Sequence, residues 1–139
     1  MNSATTIQIY LISGPWKKED GFQVATAKVL DALMDEGKLA YYAYSPNVYR
    51  RPLQRNRVAA MRAGSLGKKM GVKAGVFDLI IHSHKTAIEL KQPKGRLSPE
   101  QKSWRDTAES WGWKCYVEKT TKGVIEVLIE NGIIDRRRL

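Results

Sequence analysis

Val76-Phe77-Asp78-Leu79-Ile80-Ile81-His82-Ser83-His84-Lys85-Thr86-Ala87-Ile88-Glu89-Leu90-Lys91 contains two short apolar, β-branched runs on either side of a polar break. Phe77 to His82 and Thr86 to Leu90 read as strands. A two-residue turn at Ser83-His84 pairs Asp78 with Glu89 and Leu79 with Ile88. Side chains alternate along a strand, so Lys91 shares a face with Glu89, and Leu79, Ile81, Ile88 and Leu90 form a coherent apolar face behind them. The turn lacks the Asn-Gly chemistry of tight hairpins, which leaves the register open to slippage.

Downstream, Ser98-Pro99-Glu100-Gln101 is a helix start: Ser98 as N-cap, Pro99 in the first turn and Gln101 completing a capping box. That helix is expected to run to about Trp111 and stop at Gly112. Lys114 to Glu118 reads as a strand. Thr121 to Glu130 reads as a helix, with Val124, Ile125, Leu128 and Ile129 at helical spacing and Asn131-Gly132 as its stop.

Upstream, Glu19 to Glu36 reads as a helix with Phe22, Ala25, Val29, Leu30 and Leu33 on one face and Gly37 as C-cap. Leu39 to Tyr44 reads as a strand. Thr6 to Ser13, rich in β-branched residues, reads as another. From Pro46 to Ala74, Gly64, Gly67 and Gly71 weaken a helical pattern, so that segment reads as part helix and part mobile loop. The expected order is β-α-β-(α)-β-β-α-β-α, an α/β or α+β sheet flanked by helices in one domain covering residues 1–139.

Composition bounds the possibilities. With 139 residues, 42% hydrophobic and 27% charged, the chain can bury a core and is not disordered wholesale. Cys115 is the single cysteine, which excludes a disulfide framework or a multi-cysteine zinc module and is compatible with a reducing cytoplasm. Apolar stretches run to about seven residues, against roughly 20 for a membrane span. Thr6 to Ser13 lacks a basic n-region and cleavage signal, so secretion is not expected either.

Lys and Arg number 24 against 14 Asp and Glu, a net charge of +10. No acidic residue falls between Gly37 and Phe77, where Lys38, Arg50, Arg51, Arg55, Arg57, Arg62, Lys68, Lys69 and Lys73 lie. Arg136, Arg137 and Arg138 form a second cluster. Basic runs are often solvated faces, but an excess of this size points to a polyanion, nucleic acid ahead of an acidic membrane.

Opposed carboxylates destabilise a sheet unless a cation lies between them or one stays protonated. Asp, Glu and water oxygens suit a hard ion such as Mg²⁺ or Mn²⁺. A neighbouring lysine can orient water or neutralise charge growing on a phosphate. These are the parts of metal-assisted phosphodiester hydrolysis. Glu-x-Lys alone is more often a surface ion pair; Asp78 at the right register strengthens the functional reading.

Gly71-Val72-Lys73-Ala74-Gly75-Val76-Phe77-Asp78-Leu79, then Ile88-Glu89-Leu90-Lys91, then Lys94-Gly95-Arg96-Leu97-Ser98-Pro99-Glu100-Gln101 closely resembles the VRR-NUC family, virus-type replication and repair nucleases of the PD-(D/E)xK superfamily. The resemblance spans about Glu19 to Ile129. It implies a restriction-endonuclease-like core with a mixed sheet flanked by helices. It implies that Asp78 and Glu89 hold Mg²⁺ or Mn²⁺, with the Leu90 carbonyl as an additional ligand, and that Lys91 is the catalytic lysine. Gln101 matches a glutamine lining the site, Glu19 an N-terminal glutamate, and Asn47 a Pro-Asn element. Arg50, Arg51, Arg55, Arg57, Lys68, Lys69 and Lys73 are then the expected DNA-binding residues.

The expected activity is that of an endonuclease leaving 5′-phosphate ends on branched or structured DNA such as four-way junctions, acting as a homodimer. Phe77 departs from the family's usual proline, and the Thr6–Ser13 segment lies outside the pattern, as an extra edge strand or a dimer contact. A non-catalytic DNA-binding protein that keeps such a fold is the alternative. His82 and His84 read as solvent-exposed turn residues, Cys115 as a core residue, and Trp104, Trp111 and Trp113 as core around a helix end. Tyr41, Tyr42, Tyr44 and Tyr49 read as sheet packing or base stacking.

Overall fold

The computed structural model describes residues 2–11, 19–40, 42–44, 69 and 74–139. Helices α1 (Ser3–Leu11) and α2 (Glu19–Asp35) come first, followed by a two-residue strand β1 (Ala43–Tyr44). Strands β2 (Leu79–Ile81) and β3 (Thr86–Leu90), helix α3 (Pro99–Ser110), strand β4 (Lys114–Glu118) and helix α4 (Thr121–Glu130) complete the order. The fold is mixed α/β: a three-stranded sheet β2-β3-β4, extended at the β2 edge by β1 and flanked by helices.

Strand β2 runs antiparallel to β3 with Leu79 opposite Ile88, Ile80 opposite Ala87 and Ile81 opposite Thr86. This is the register that the apolar alternation requires. The connection differs from the expected tight turn. His82–His84 form a single 3₁₀ turn, and Lys85 adopts the left-handed conformation at φ +46°. Four loop residues preserve the same facing pairs as a two-residue turn one step further out, so the register survives the change of turn.

Strand β4 pairs parallel to the other edge of β3, which α3 makes possible as the crossover. All five residues of β3 are buried, as expected of a central strand covered on both faces.

Leu79, Ile81, Ile88 and Leu90 face a core with Phe22, Val29, Leu30 and Leu33 of α2 and Val124, Ile125 and Leu128 of α4. Helix α2 ends where Gly37, at φ +71°, lets Lys38 N–H reach the Leu33 carbonyl at 2.9 Å and its own N–H reach Met34 at 3.0 Å. Ser98 accepts from Gln101 N–H, and Gln101 returns the bond to Ser98, so the capping box forms as read. Thr120 caps α4 through Gly123 N–H.

Of the strand expected at Thr6 to Ser13, Thr6 to Leu11 instead belong to the helix α1, and Ile12 and Ser13 lie outside the described residues. The residues are β-branched, but tertiary contacts outweigh their weak strand preference. Ile7 is buried in the core between α2 and α4. Asn2 Oδ1 accepts from Thr5 N–H at 2.9 Å, and the Glu36 carboxylate accepts both Ser3 N–H at 2.7 Å and Ser3 Oγ–H at 2.5 Å. The start of α1 is therefore capped by a residue 33 positions away. These bonds hold the Glu36 carboxyl at about 2, below its ordinary range, with Lys38 assisting.

Among the described residues of Leu39 to Tyr44, Ala43–Tyr44 pair to β2 while Leu39, Ala40 and Tyr42 are not strand. Trp111 is 77% exposed rather than core, and Trp113 and Cys115 are half-buried. Trp104 packs on Phe77, ring centroids 5.1 Å apart. The part-helix, part-loop reading of Pro46 to Ala74 falls outside the described residues, apart from Lys69 and Ala74. No helix among the described residues is long and apolar enough to cross a membrane.

Candidate metal and phosphodiester site

Asp78 stands one residue before β2, and Glu89 is the fourth residue of β3, so the register brings their side chains to the same face. The contact is reciprocal. Asp78 N–H donates to Glu89 Oε1 at 3.0 Å, and Leu90 N–H donates to Asp78 Oδ2 at 3.1 Å. Asp78 is 8% exposed and Glu89 3%.

Two further groups converge on Glu89 Oε2. Lys91 Nζ lies 3.0 Å away, placed on that face by the alternation of the strand. Gln101 Nε2 donates to the same oxygen at 2.5 Å from the first turn of α3. Gln101 Oε1 meanwhile accepts Ser98 N–H at 2.9 Å, so the helix cap also sets the orientation of the amide. Pro99, with its fixed φ, starts the helix where this reach becomes possible.

Gly75 governs how closely the approach to Asp78 packs on α3. Its φ is +84°, and a Cβ there would lie 2.3 Å from the Glu100 carbonyl oxygen. A side chain has no room, and the conformation favours glycine.

Burial pushes the Asp78 carboxyl up to about 7. The charge of Glu89 and hydrogen bonding to it act in the same direction, while Leu90 N–H and the Lys91 charge oppose them. Desolvation and a neighbouring carboxylate both penalise the charged form, and a cation between the two would relieve that penalty.

The donor set fits a hard divalent cation. Both candidate ligands are carboxylates, and they share one face of neighbouring strands. Among the described residues no cluster of three or more His, Cys, Asp or Glu side chains forms. A pair of carboxylates, with water and phosphate oxygens in the remaining positions, is the arrangement Mg²⁺ favours. Leu90 is buried, with its N–H donating to Asp78 Oδ2.

Of the other expected site residues, Glu19 is the first residue of α2, and its side chain lies outside the described residues. Arg50, Arg51, Arg55, Arg57, Lys68 and Lys73, with Asn47, also lie outside them, and Lys69 is exposed. His82 is exposed and His84 half-buried, both in the 3₁₀ turn. Burial raises the Cys115 thiol to about 11, so it carries little thiolate at neutral pH. Tyr42 Oη–H donates to Asp31 Oδ1 of α2 at 2.5 Å.

One structural feature escaped the motif reading. The turn Gln92–Gly95 folds over the Lys91 side chain, with Gly95 N–H donating to the Gln92 carbonyl at 2.8 Å. Lys119 Nζ donates to the Pro93 carbonyl at 2.5 Å. Pro93-Lys94-Gly95 carries the turn signal in sequence; its closure over Lys91 does not follow from that signal.

Compared with known protein families, curated proteins and solved structures, the chain matches none.

Proposed function

We propose that the protein is a divalent-metal-dependent DNA endonuclease with a PD-(D/E)xK core similar to that of VRR-NUC nucleases. One observation carries the reading: buried Asp78 and Glu89 face each other, with Lys91 Nζ 3.0 Å from Glu89 Oε2. Two buried carboxylates beside a single lysine carry a surplus negative charge that is costly away from water unless a proton or a cation offsets it, and a bound divalent ion would do so.

Asp78 and Glu89 would hold Mg²⁺ or Mn²⁺, with the Leu90 carbonyl completing the protein's share. Such an ion supplies Lewis acidity and lowers the pKa of bound water. Lys91 orients the attacking water or offsets charge on the phosphate. Gln101 holds Glu89 in its rotamer. The net charge of +10 supplies the attraction for a polyanion. Branched DNA such as a four-way junction is the substrate we favour, cut by a homodimer whose two-fold symmetry matches paired incisions and leaves 5′-phosphates. Action in the cytoplasm accords with a lone, unreactive cysteine.

Incubation with labelled linear, flapped and four-way DNA in Mn²⁺ tests the reading. Cleavage is expected, and Asp78→Ala or Lys91→Ala should abolish it while DNA binding persists. Calorimetric titration with Mn²⁺ should give heat that Glu89→Gln removes. DNA binding without carboxylate-dependent heat would instead make this a non-catalytic DNA-binding protein.

A further inference from the structure

Resting on the nuclease reading, we infer that the turn after β3 is a phosphate clamp: Lys94 and Arg96 grip the nucleic-acid backbone beside Asp78 and Glu89. Gly95 sits directly on the Lys91 stem, since a Cβ at Gly95 would lie 3.3 Å from both Cβ and Cδ of Lys91. Lys94 and Arg96 are its chain neighbours, each Cα about 3.8 Å from that of Gly95. Both side chains are exposed. Two exposed cationic side chains thus flank the residue that covers Lys91, whose ammonium contacts Glu89.

The turn is anchored as a binding element needs to be. Lys91 N–H donates to the Glu118 carbonyl at 2.9 Å, which ties the end of β3 to β4. Gly95 N–H closes the turn on Gln92, and Lys119 holds Pro93 from the β4 side. Lys119 binds the Pro93 carbonyl, while Lys94 and Arg96 are exposed.

Charge balance separates this patch from the arginine cluster at residues 136–138. Arg136 pairs with Glu126, and Arg137 and Arg138 pair with Asp135. Among the described residues Lys94 and Arg96 make no ion pair. Unpaired cations release counterions when they meet phosphates; the three arginines share the two carboxylates of Glu126 and Asp135, so that cluster offers less charge per cation. Lysine contributes a point charge and arginine a planar fork for two phosphate oxygens, so the pair can both attract and orient a strand.

The test is the salt dependence of DNA binding. Fluorescence anisotropy with a labelled four-way junction is measured in the Asp78→Asn background, which keeps the DNA intact, from about 50 to 200 mM salt. Lys94→Gln with Arg96→Gln should lower the slope of log affinity against log salt by about two, near 0.9 for each lost phosphate contact. Lys94→Arg with Arg96→Lys should keep the parental slope. A parental slope in the glutamine pair overturns the clamp. Mn²⁺ heat and cleavage by the unsubstituted protein report separately on the nuclease reading. If both are absent while the glutamine pair still lowers the slope, the clamp stands as a DNA contact and the nuclease reading falls. If both are present and the slope is unmoved, the clamp falls and the nuclease reading stands.

Discussion

Gln101 binds Glu89 with the nitrogen of its amide and the start of its own helix with the oxygen. One side chain thus couples the position of α3 to the rotamer of a candidate metal ligand. A hydrogen bond to a charged group contributes about 1.5–3 kcal/mol, so its loss should be felt at the site. We expect Gln101→Ala to slow Mn²⁺-dependent cleavage about tenfold or more. Ser98→Ala removes the cap, about 1 kcal/mol, and leaves the Glu89 contact in place, so its cleavage rate should stay near parental. Equal losses in the two variants, measured by single-turnover cleavage, would assign the effect to the helix rather than the amide.

Asp78 should make the metal-free protein less stable as pH rises. Its carboxyl titrates near 7 in the folded chain and near 3.8 when unfolded, so the folded form holds the proton more tightly. The stability it contributes is present below the unfolded value and lost as pH rises through about 7. Melting temperature in a chelator should fall from about pH 5 to pH 8, and Asp78→Asn should flatten that fall. Mn²⁺ at the upper pH should raise the melting temperature of the parent but not of the variant. An undiminished fall in Asp78→Asn would place the titration on another group.

Glu36 should act in the opposite sense. Its depressed carboxyl contributes stability above about 4.5 that is lost as pH falls towards about 2, because protonation removes the acceptor for Ser3. Glu36→Gln is expected to lower stability at neutral pH and to shrink the acid-induced loss of helical signal in circular dichroism. Acid curves that superimpose would show that the cap contributes nothing to α1.

Gly75→Ala combines a left-handed backbone with a Cβ 2.3 Å from the Glu100 carbonyl oxygen. Strain of this kind costs about 1–3 kcal/mol, and the clash adds to it. Chemical denaturation should show a clear drop in midpoint. Gly37→Ala shares the positive φ, but nothing lies within 4 Å of its added Cβ, so it should cost less. Similar losses in both would mean that packing against α3 is not what constrains Gly75.

Local rules made much of this fold legible. The Ser98–Gln101 capping box, the bounds of β4 and α4, and the buried face of α2 follow from spacing and end signals within a few residues. The facing of Asp78 and Glu89 was legible for a related reason. Apolar residues on alternate positions admit one register that buries Leu79, Ile81, Ile88 and Leu90 together, and the acids follow on the other face.

Elsewhere the deciding contacts are distant in the chain. Thr6 to Leu11 has no strong local preference for the helix it forms; Glu36 and the groove between α2 and α4 impose it, and neither is visible from within the segment. The burial that drives Asp78 towards neutrality and the seating of Gly95 on Lys91 are likewise tertiary. Sequence determined which side chains share a strand face, because alternation is a property of the backbone. Tertiary structure decided how dry that face is and what closes over it, because dehydration and cover come from elements far apart along the chain.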